Sequence, residues 1–136
     1  MTAAKVLVST DVAIDMPAGP SEVLVLADES ANARFIAFDM VSQAEHGGDS
    51  VAGLITTSEK VARQVQENLV AVTASVDRGA KVSEALSKFG FIIICKSMGE
   101  AISLVNQFAP EHLEVMTAKP QEIAEKLTAG LILLGP

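Results

Sequence analysis

Cysteine is nearly absent from this 136-residue chain. Cys95 stands alone, so no disulfide framework forms within it. A single thiol inside an apolar run fits a reducing compartment. Basic residues are also sparse: ten lysines and arginines face seventeen aspartates and glutamates, for a formal net charge of −7. That sign repels phosphate backbones and anionic lipid headgroups, which argues against nucleic-acid and membrane-surface partners. No apolar run approaches the ~20 residues of a membrane span. Met1-Thr2-Ala3-Ala4-Lys5 lacks the layout of a signal peptide. A soluble cytoplasmic protein is therefore expected. Neither a GxGxxG loop nor a Walker A motif occurs, so no dinucleotide or phosphate fingerprint is present. Repeats, low-complexity tracts and Pro/Gly/Ser linkers are missing too, and residues 1–136 read as a single domain.

What is present is apolar residue in quantity, 49% against 20% charged, enough for a real core. Val23-Leu24-Val25-Leu26-Ala27 is short, continuous and largely branched, which predicts a buried strand. Phe91 to Cys95 and Leu131 to Leu134 read the same way, with Val51 to Thr56 and Leu113 to Met116 as weaker fourth and fifth strands. Helical patterns lie between them. From Ala31 to His46, the residues Phe35, Phe38, Val41 and Ala44 form one apolar stripe, and Gly47-Gly48 should end the helix. Thr56 with Glu59 has capping-box spacing before a helix to about Val72. Ser97 with Glu100 repeats that spacing before Ala101 to Phe108, which Pro110 closes. Pro120 opens a last helix ending near Gly130. This alternation predicts an α/β fold, a mostly parallel sheet with helices on both faces. Functional residues of such sheets collect beyond the carboxyl ends of the strands.

Few residues can carry chemistry. The two histidines each follow a glutamate, in Glu45-His46 and Glu111-His112. Gln43 and His46 are spaced i, i+3 and share a helix face. They read either as two metal ligands or as a histidine favoured by the helix C-terminus beside a solvated amide. A zinc site takes about four ligands. Glu111-His112 reads either as a general acid–base pair or as an exposed polar pair at a loop. Ile14-Asp15-Met16-Pro17-Ala18-Gly19-Pro20-Ser21-Glu22 is a turn-rich strand entry that presents Ser21, without the GxSxG elbow of a nucleophilic serine. Asp28 either caps the following helix or holds a ribose. Cys95 reads as core.

Three blocks together resemble histidinol dehydrogenase: Ile14 to Val25, Ser42-Gln43-Ala44-Glu45-His46-Gly47, and Ala109-Pro110-Glu111-His112-Leu113. Gly48 stands where that family often has proline. The resemblance implies an incomplete Rossmann-like domain and oxidation of L-histidinol to L-histidine through an aldehyde, with two NAD and a zinc ion. It implies that Gln43 and His46 are zinc ligands. Ser21, Gln43, His46 and His112 match substrate-binding positions, and Glu111 and His112 match the catalytic acid–base pair. It implies further zinc ligands, an aspartate and a histidine, beyond Pro136, and NAD contacts before Met1. The chain is therefore expected to be an interior segment of a longer homodimeric enzyme and inactive alone. The other reading is a non-catalytic α/β module that keeps the substrate-facing surface.

Overall fold

A computed structural model describes residues 6–13 and 21–135. The strand-entry block from Ile14 to Pro20 lies outside the described residues, as does Met1 to Lys5. The chain runs β1 (Glu22–Ala27), α1 (Ala33–Ala44), β2 (Val51–Thr56), α2 (Glu59–Ser75), α3 (Gly79–Phe89), β3 (Gly90–Ile94), α4 (Met98–Phe108), β4 (His112–Met116), α5 (Pro120–Ala124) and β5 (Leu131–Leu134). The five strands form one sheet in the order β3-β2-β1-β4-β5, and every pair is parallel. The order reverses beside β1, so the crossover through α4 lies on the opposite face from α1, α2 and α3. This is the doubly wound, Rossmann-like arrangement.

Burial explains the strand sequences. β1 is central and covered on both sides, so every residue from Val23 to Ala27 is buried. Val23, Val25 and Ala27 face Ile36, Met40, Val61 and Val65 of α1 and α2. Leu24 and Leu26 face Ala101 and Val105 of α4, together with Cys95, which is buried just beyond β3. A third cluster of Val41, Val72, Val82 and Ala85 packs α1, α2 and α3 together. No helix among the described residues is long and apolar enough to cross a membrane.

Several local expectations are corrected. The apolar stripe of α1 is rotated from the one predicted. Ile36, Ala37, Met40, Val41 and Ala44 are buried, whereas Phe35 and Phe38 are 50% and 42% exposed, with Arg34 stacked over the Phe38 ring at 5.5 Å. The small residues of α1 let it sit close to the sheet, and the bulky phenylalanines fall outside the contact. Asn32 rather than Asp28 caps α1, and Ser58 rather than Thr56 caps α2. α1 ends at Ala44 with Glu45 in right-handed geometry, so Gly47 and Gly48 do not form its cap. α3 has no predicted counterpart, because its N-cap Arg78 makes no side-chain hydrogen bond and gives no start signal. Ser97 caps α4 as expected, its hydroxyl accepting from the Glu100 N–H at 3.2 Å. The Glu100 carboxylate accepts from the Lys96 N–H, one residue earlier than in a standard capping box.

Candidate active site

The amino-terminal rim of the sheet gathers the residues singled out from sequence. Parallel pairing sets Val23 of β1 beside His112, the first residue of β4, and His112 beside Leu131 of β5. α1 runs antiparallel to the strands, so its C-terminal end returns to the same rim. A cavity of about 300 Å³ opens there, lined by Ser21, Gln43, His46 and His112, and by Asp39, Ser42 and Glu114. Two larger clefts of about 570 and 880 Å³ lie against α2 with β3 and against α2 with α3, and neither is lined by a histidine.

Each polar side chain is oriented by a partner. The Gln43 amide nitrogen donates to the Ser21 hydroxyl at 2.5 Å. That bond spends the NH₂ group and turns the amide oxygen, the only group of Gln43 able to hold a cation, away from Ser21. His46 Nδ1 lies 3.0 Å from the Ser42 carbonyl. A carbonyl only accepts, so the contact calls for a hydrogen on Nδ1 and leaves Nε2 as the nitrogen available to other partners. A ring N–H pinned to a backbone carbonyl is the usual support of a metal-bound histidine. Gln43 and His46 thus offer one oxygen and one nitrogen donor on adjacent turns of the same helix end, a set that fits zinc as part of its shell. Among the described residues no three His, Cys, Asp or Glu side chains gather at one point.

His112 is held by the same logic. Its Nδ1 lies 3.3 Å from the Glu22 carbonyl and 3.5 Å from Glu111 Oε2. Its Nδ1 thus faces a carbonyl that can only accept, with the Glu111 carboxylate alongside, and Nε2 is the ring nitrogen left without these partners. Glu22 acts twice, because its carboxylate also accepts the Glu111 N–H at 3.3 Å. Glu111 is not among the cavity-lining residues and approaches the site through His112. Its backbone is fixed from β5, where Leu131 N–H donates to the Glu111 carbonyl at 2.8 Å and Gly130 N–H to the Pro110 carbonyl at 3.0 Å. Ala109 just before it is the one non-glycine described residue at positive φ, 49°, a left-handed C-cap that turns the chain from α4 into Pro110-Glu111. Such geometry costs an L-residue about 1 kcal/mol and is found where a fold over-determines a site.

Three participants were not predicted: Glu22, Asp39 and Glu114. Asp39 is one helical turn before Gln43, and Glu114 is two residues past His112 on the same strand face. Their carboxyls hydrogen-bond each other. Burial, then the Asp39 charge, then that hydrogen bond push Glu114 up to about 7. Burial also raises Asp39, against the opposing hydrogen bond from Glu114. The i, i+4 spacing from Asp39 to Gln43 and the i, i+2 spacing from His112 to Glu114 were the available signals.

At the opposite rim, beside the carboxyl end of β1, the Asp28 carboxylate is taken up by the protein's own loops. Asp28 accepts from Ser30 N–H at 2.9 Å and from the Ser30 hydroxyl with one oxygen, and from Ala118 N–H at 2.9 Å with the other. Burial would raise its pKa, but these bonds together hold the carboxyl below the ordinary range. Asp28 neither caps α1 nor stands free for a ribose; it ties the β1–α1 loop to the β4–α5 loop. These residues do not fit a dinucleotide phosphate.

Comparison with known proteins bears on the family and the fold. The family profile described as histidinol dehydrogenase matches residues 1–136. Histidinol dehydrogenase of Bacteroides thetaiotaomicron is 53% identical over 137 residues, covering 99% of this chain and 32% of that protein. The enzyme of Methanothermobacter thermautotrophicus is 41% identical over 136 residues, again across 99% of this chain and 32% of the relative. The crystal structure of histidinol dehydrogenase from Elizabethkingia anophelis superposes with a TM-score of 0.84 at 41% identity, covering 98% of this chain and 31% of that one. A propionaldehyde dehydrogenase from Clostridium phytofermentans, at 13% identity and a TM-score of 0.56, shares the fold alone. The chain thus spans about a third of the length of the curated relatives it matches.

Proposed function

The chain belongs to the histidinol dehydrogenase family, and we propose that it supplies the acid–base pair and half of the zinc shell of an enzyme oxidising L-histidinol to L-histidine with two NAD. The observation that carries this reading is the shared arrangement of the two histidines. Both are pinned at Nδ1 by backbone carbonyls, and both belong to one cavity with the Gln43 amide oxygen. Gln43 and His46 would hold the zinc, and the hydrogen bond to Ser21 fixes the Gln43 amide. When bound, the metal supplies a fixed positive charge that orients the imidazole and amine of the substrate. His112 Nε2 takes the proton of the alcohol as the carbinol carbon is oxidised. The adjoining Glu111 carboxylate activates water for attack on the aldehyde, giving the hydrate that is oxidised in turn. Ser21, Gln43, His46 and His112 are the proposed substrate contacts. The NAD contacts belong to parts of the enzyme outside these residues, because the Asp28 crevice does not fit it. The proposed setting is the cytoplasm, and the proposed assembly is a homodimer of the whole enzyme.

A chimera tests this. The corresponding third of the full-length Bacteroides thetaiotaomicron enzyme is replaced by this chain, and NADH production from L-histidinol is followed. Activity is expected in the chimera and none in the 136-residue chain alone. Within the chimera, His112→Gln and Glu111→Gln should each lower kcat by about 10²-fold or more, the scale of lost general acid–base catalysis. A folded chimera whose turnover ignores both substitutions would overturn the assignment, as would turnover by the isolated chain.

A further inference from the structure

Glu111 and His112 depend on Glu22 in two different ways. The Glu22 carbonyl, a main-chain group, faces His112 Nδ1 at 3.3 Å, while the Glu22 carboxylate accepts the Glu111 N–H at 3.3 Å. Side chains alternate along a strand, and the next residue, Val23, lines the cavity. Glu22 therefore points to the other face of the sheet and is absent from the cavity lining. A molecule held in the cavity is out of its reach. We propose that Glu22 is a positioning residue for Glu111: its carboxylate holds the Glu111 main chain, sets where the Glu111 carboxylate stands beside His112, and so serves water activation on the aldehyde more than proton removal from the alcohol.

The surroundings of Glu111 support this role. The register of β1 with β4 starts at Val23 with His112, so Glu111 stands one residue outside the ladder. Its N–H is met by a side chain instead of a strand carbonyl. A part-buried N–H without an acceptor is costly, and the Glu22 oxygen removes that cost while fixing the residue. β4 lies between β1 and β5, and Glu111 is gripped from both sides. Glu22 takes its N–H, and Leu131 N–H donates to its carbonyl at 2.8 Å. The second grip depends on Gly130, where a Cβ would stand 2.7 Å from the Glu111 carbonyl oxygen. His112 keeps its main-chain contact whatever side chain stands at position 22. One substitution there separates the two members of the pair. The inference rests on reading Glu111 and His112 as the acid–base pair, but its first test needs no metal, substrate or nicotinamide.

The first test is amide hydrogen exchange of the full 136-residue chain, followed by nuclear magnetic resonance. Glu22→Met keeps the length of the side chain without an acceptor oxygen. Glu22→Gln loses the same charge but keeps an amide oxygen that accepts. Glu22→Met should speed exchange at the Glu111 N–H by about 10-fold or more, with the Leu24 and Leu26 amides of β1 unchanged, so that the opening is local. Glu22→Gln should stay near the wild-type rate. Thermal melting accompanies each variant; should Glu22→Met not fold, Glu22→Ala takes its place. A Glu111 N–H unprotected in the wild type would overturn the proposal, as would Glu22→Gln exchanging like Glu22→Met. The second test uses the chimera. Glu22→Met should lower kcat for NAD-dependent oxidation of the aldehyde by about 10-fold or more, a larger loss than in NADH-dependent reduction of the same aldehyde, and Glu22→Gln should recover most of it. Equal losses in the two directions would overturn the assignment to water activation. A folded chimera without turnover, with the exchange result intact, would overturn the enzymatic reading and leave the Glu22–Glu111 bond standing.

Discussion

Replacing Glu114 by glutamine should make the protein more stable at alkaline pH relative to the wild type. The sign follows from the direction of the shift. Glu114 is raised in the folded state from the ordinary 4.5 to about 7. Between those values the unfolded chain has released the proton while the folded chain still holds it. Stability therefore falls as pH rises through that window and levels off above about 7. From pH 5.5 to 7 the unscreened loss is about 2 kcal/mol, at about 1.4 kcal/mol for each decade. Glu114 is only partly buried, and solvent screening reduces this to roughly 1 kcal/mol. Glutamine has no proton to lose and keeps the hydrogen bond to Asp39. The assay is urea denaturation of both proteins at half-unit steps from pH 5.5 to 8.5. The stability difference should move by roughly 1 kcal/mol in favour of Glu114→Gln and flatten above about 7, equivalent to about 3 °C in Tm. Parallel curves across the whole range would refute the shared-proton reasoning.

Three further outcomes follow from the same geometry. Gly53→Ala should destabilise by about 1–3 kcal/mol in thermal melting, because a Cβ at Gly53 would stand 2.3 Å from Cζ of the Phe91 ring on the neighbouring strand; an unchanged Tm would show that Phe91 swings away freely. Ala109→Gly should raise stability by about 0.5–1 kcal/mol, since the position is left-handed, and a loss on substitution would show that the residue is not strained. Zinc should remain sub-stoichiometric in the isolated chain after dialysis, as two ligands complete only half a shell; tight one-to-one zinc that disappears in His46→Ala would contradict the half-site.

The sheet was legible because its strands are continuous apolar runs, buried in the central β1 and β2 and partly exposed at the edges β3 and β5. Continuous runs such as Val23 to Ala27 and Phe91 to Ile94 have no polar position to confuse with a helix, and the helices between them force parallel pairing. The face of α1 was not legible. Phe35 and Phe38 satisfy the spacing of a stripe as well as Ile36 and Met40 do, and only the close approach of helix to sheet selects the smaller set. α3 escaped notice because its start has no cap, although Val82, Ala85 and Leu86 carry a helical pattern. The residues of the site were visible as motif blocks, but their meeting place was not readable from rules alone. Ligands of open α/β sheets favour the carboxyl rim, whereas the histidines here meet at the amino rim. Asp39 and Glu114 went unread because a single acid on a helix or strand is normally solvated. Their significance arises from a pairing across elements that spacing does not encode.

The central claim, that Gln43 and His46 converge with His112 on one metal-holding cavity at the amino rim, is tested most directly by crystals of the chain grown with millimolar zinc and measured at the zinc edge. The expected anomalous peak lies about 2.0–2.2 Å from His46 Nε2 and from the Gln43 amide oxygen, with Ser21 still accepting from the Gln43 NH₂ and His112 Nε2 facing the same cavity. A peak elsewhere on the protein, or Gln43 turned with its NH₂ inward, would contradict the account.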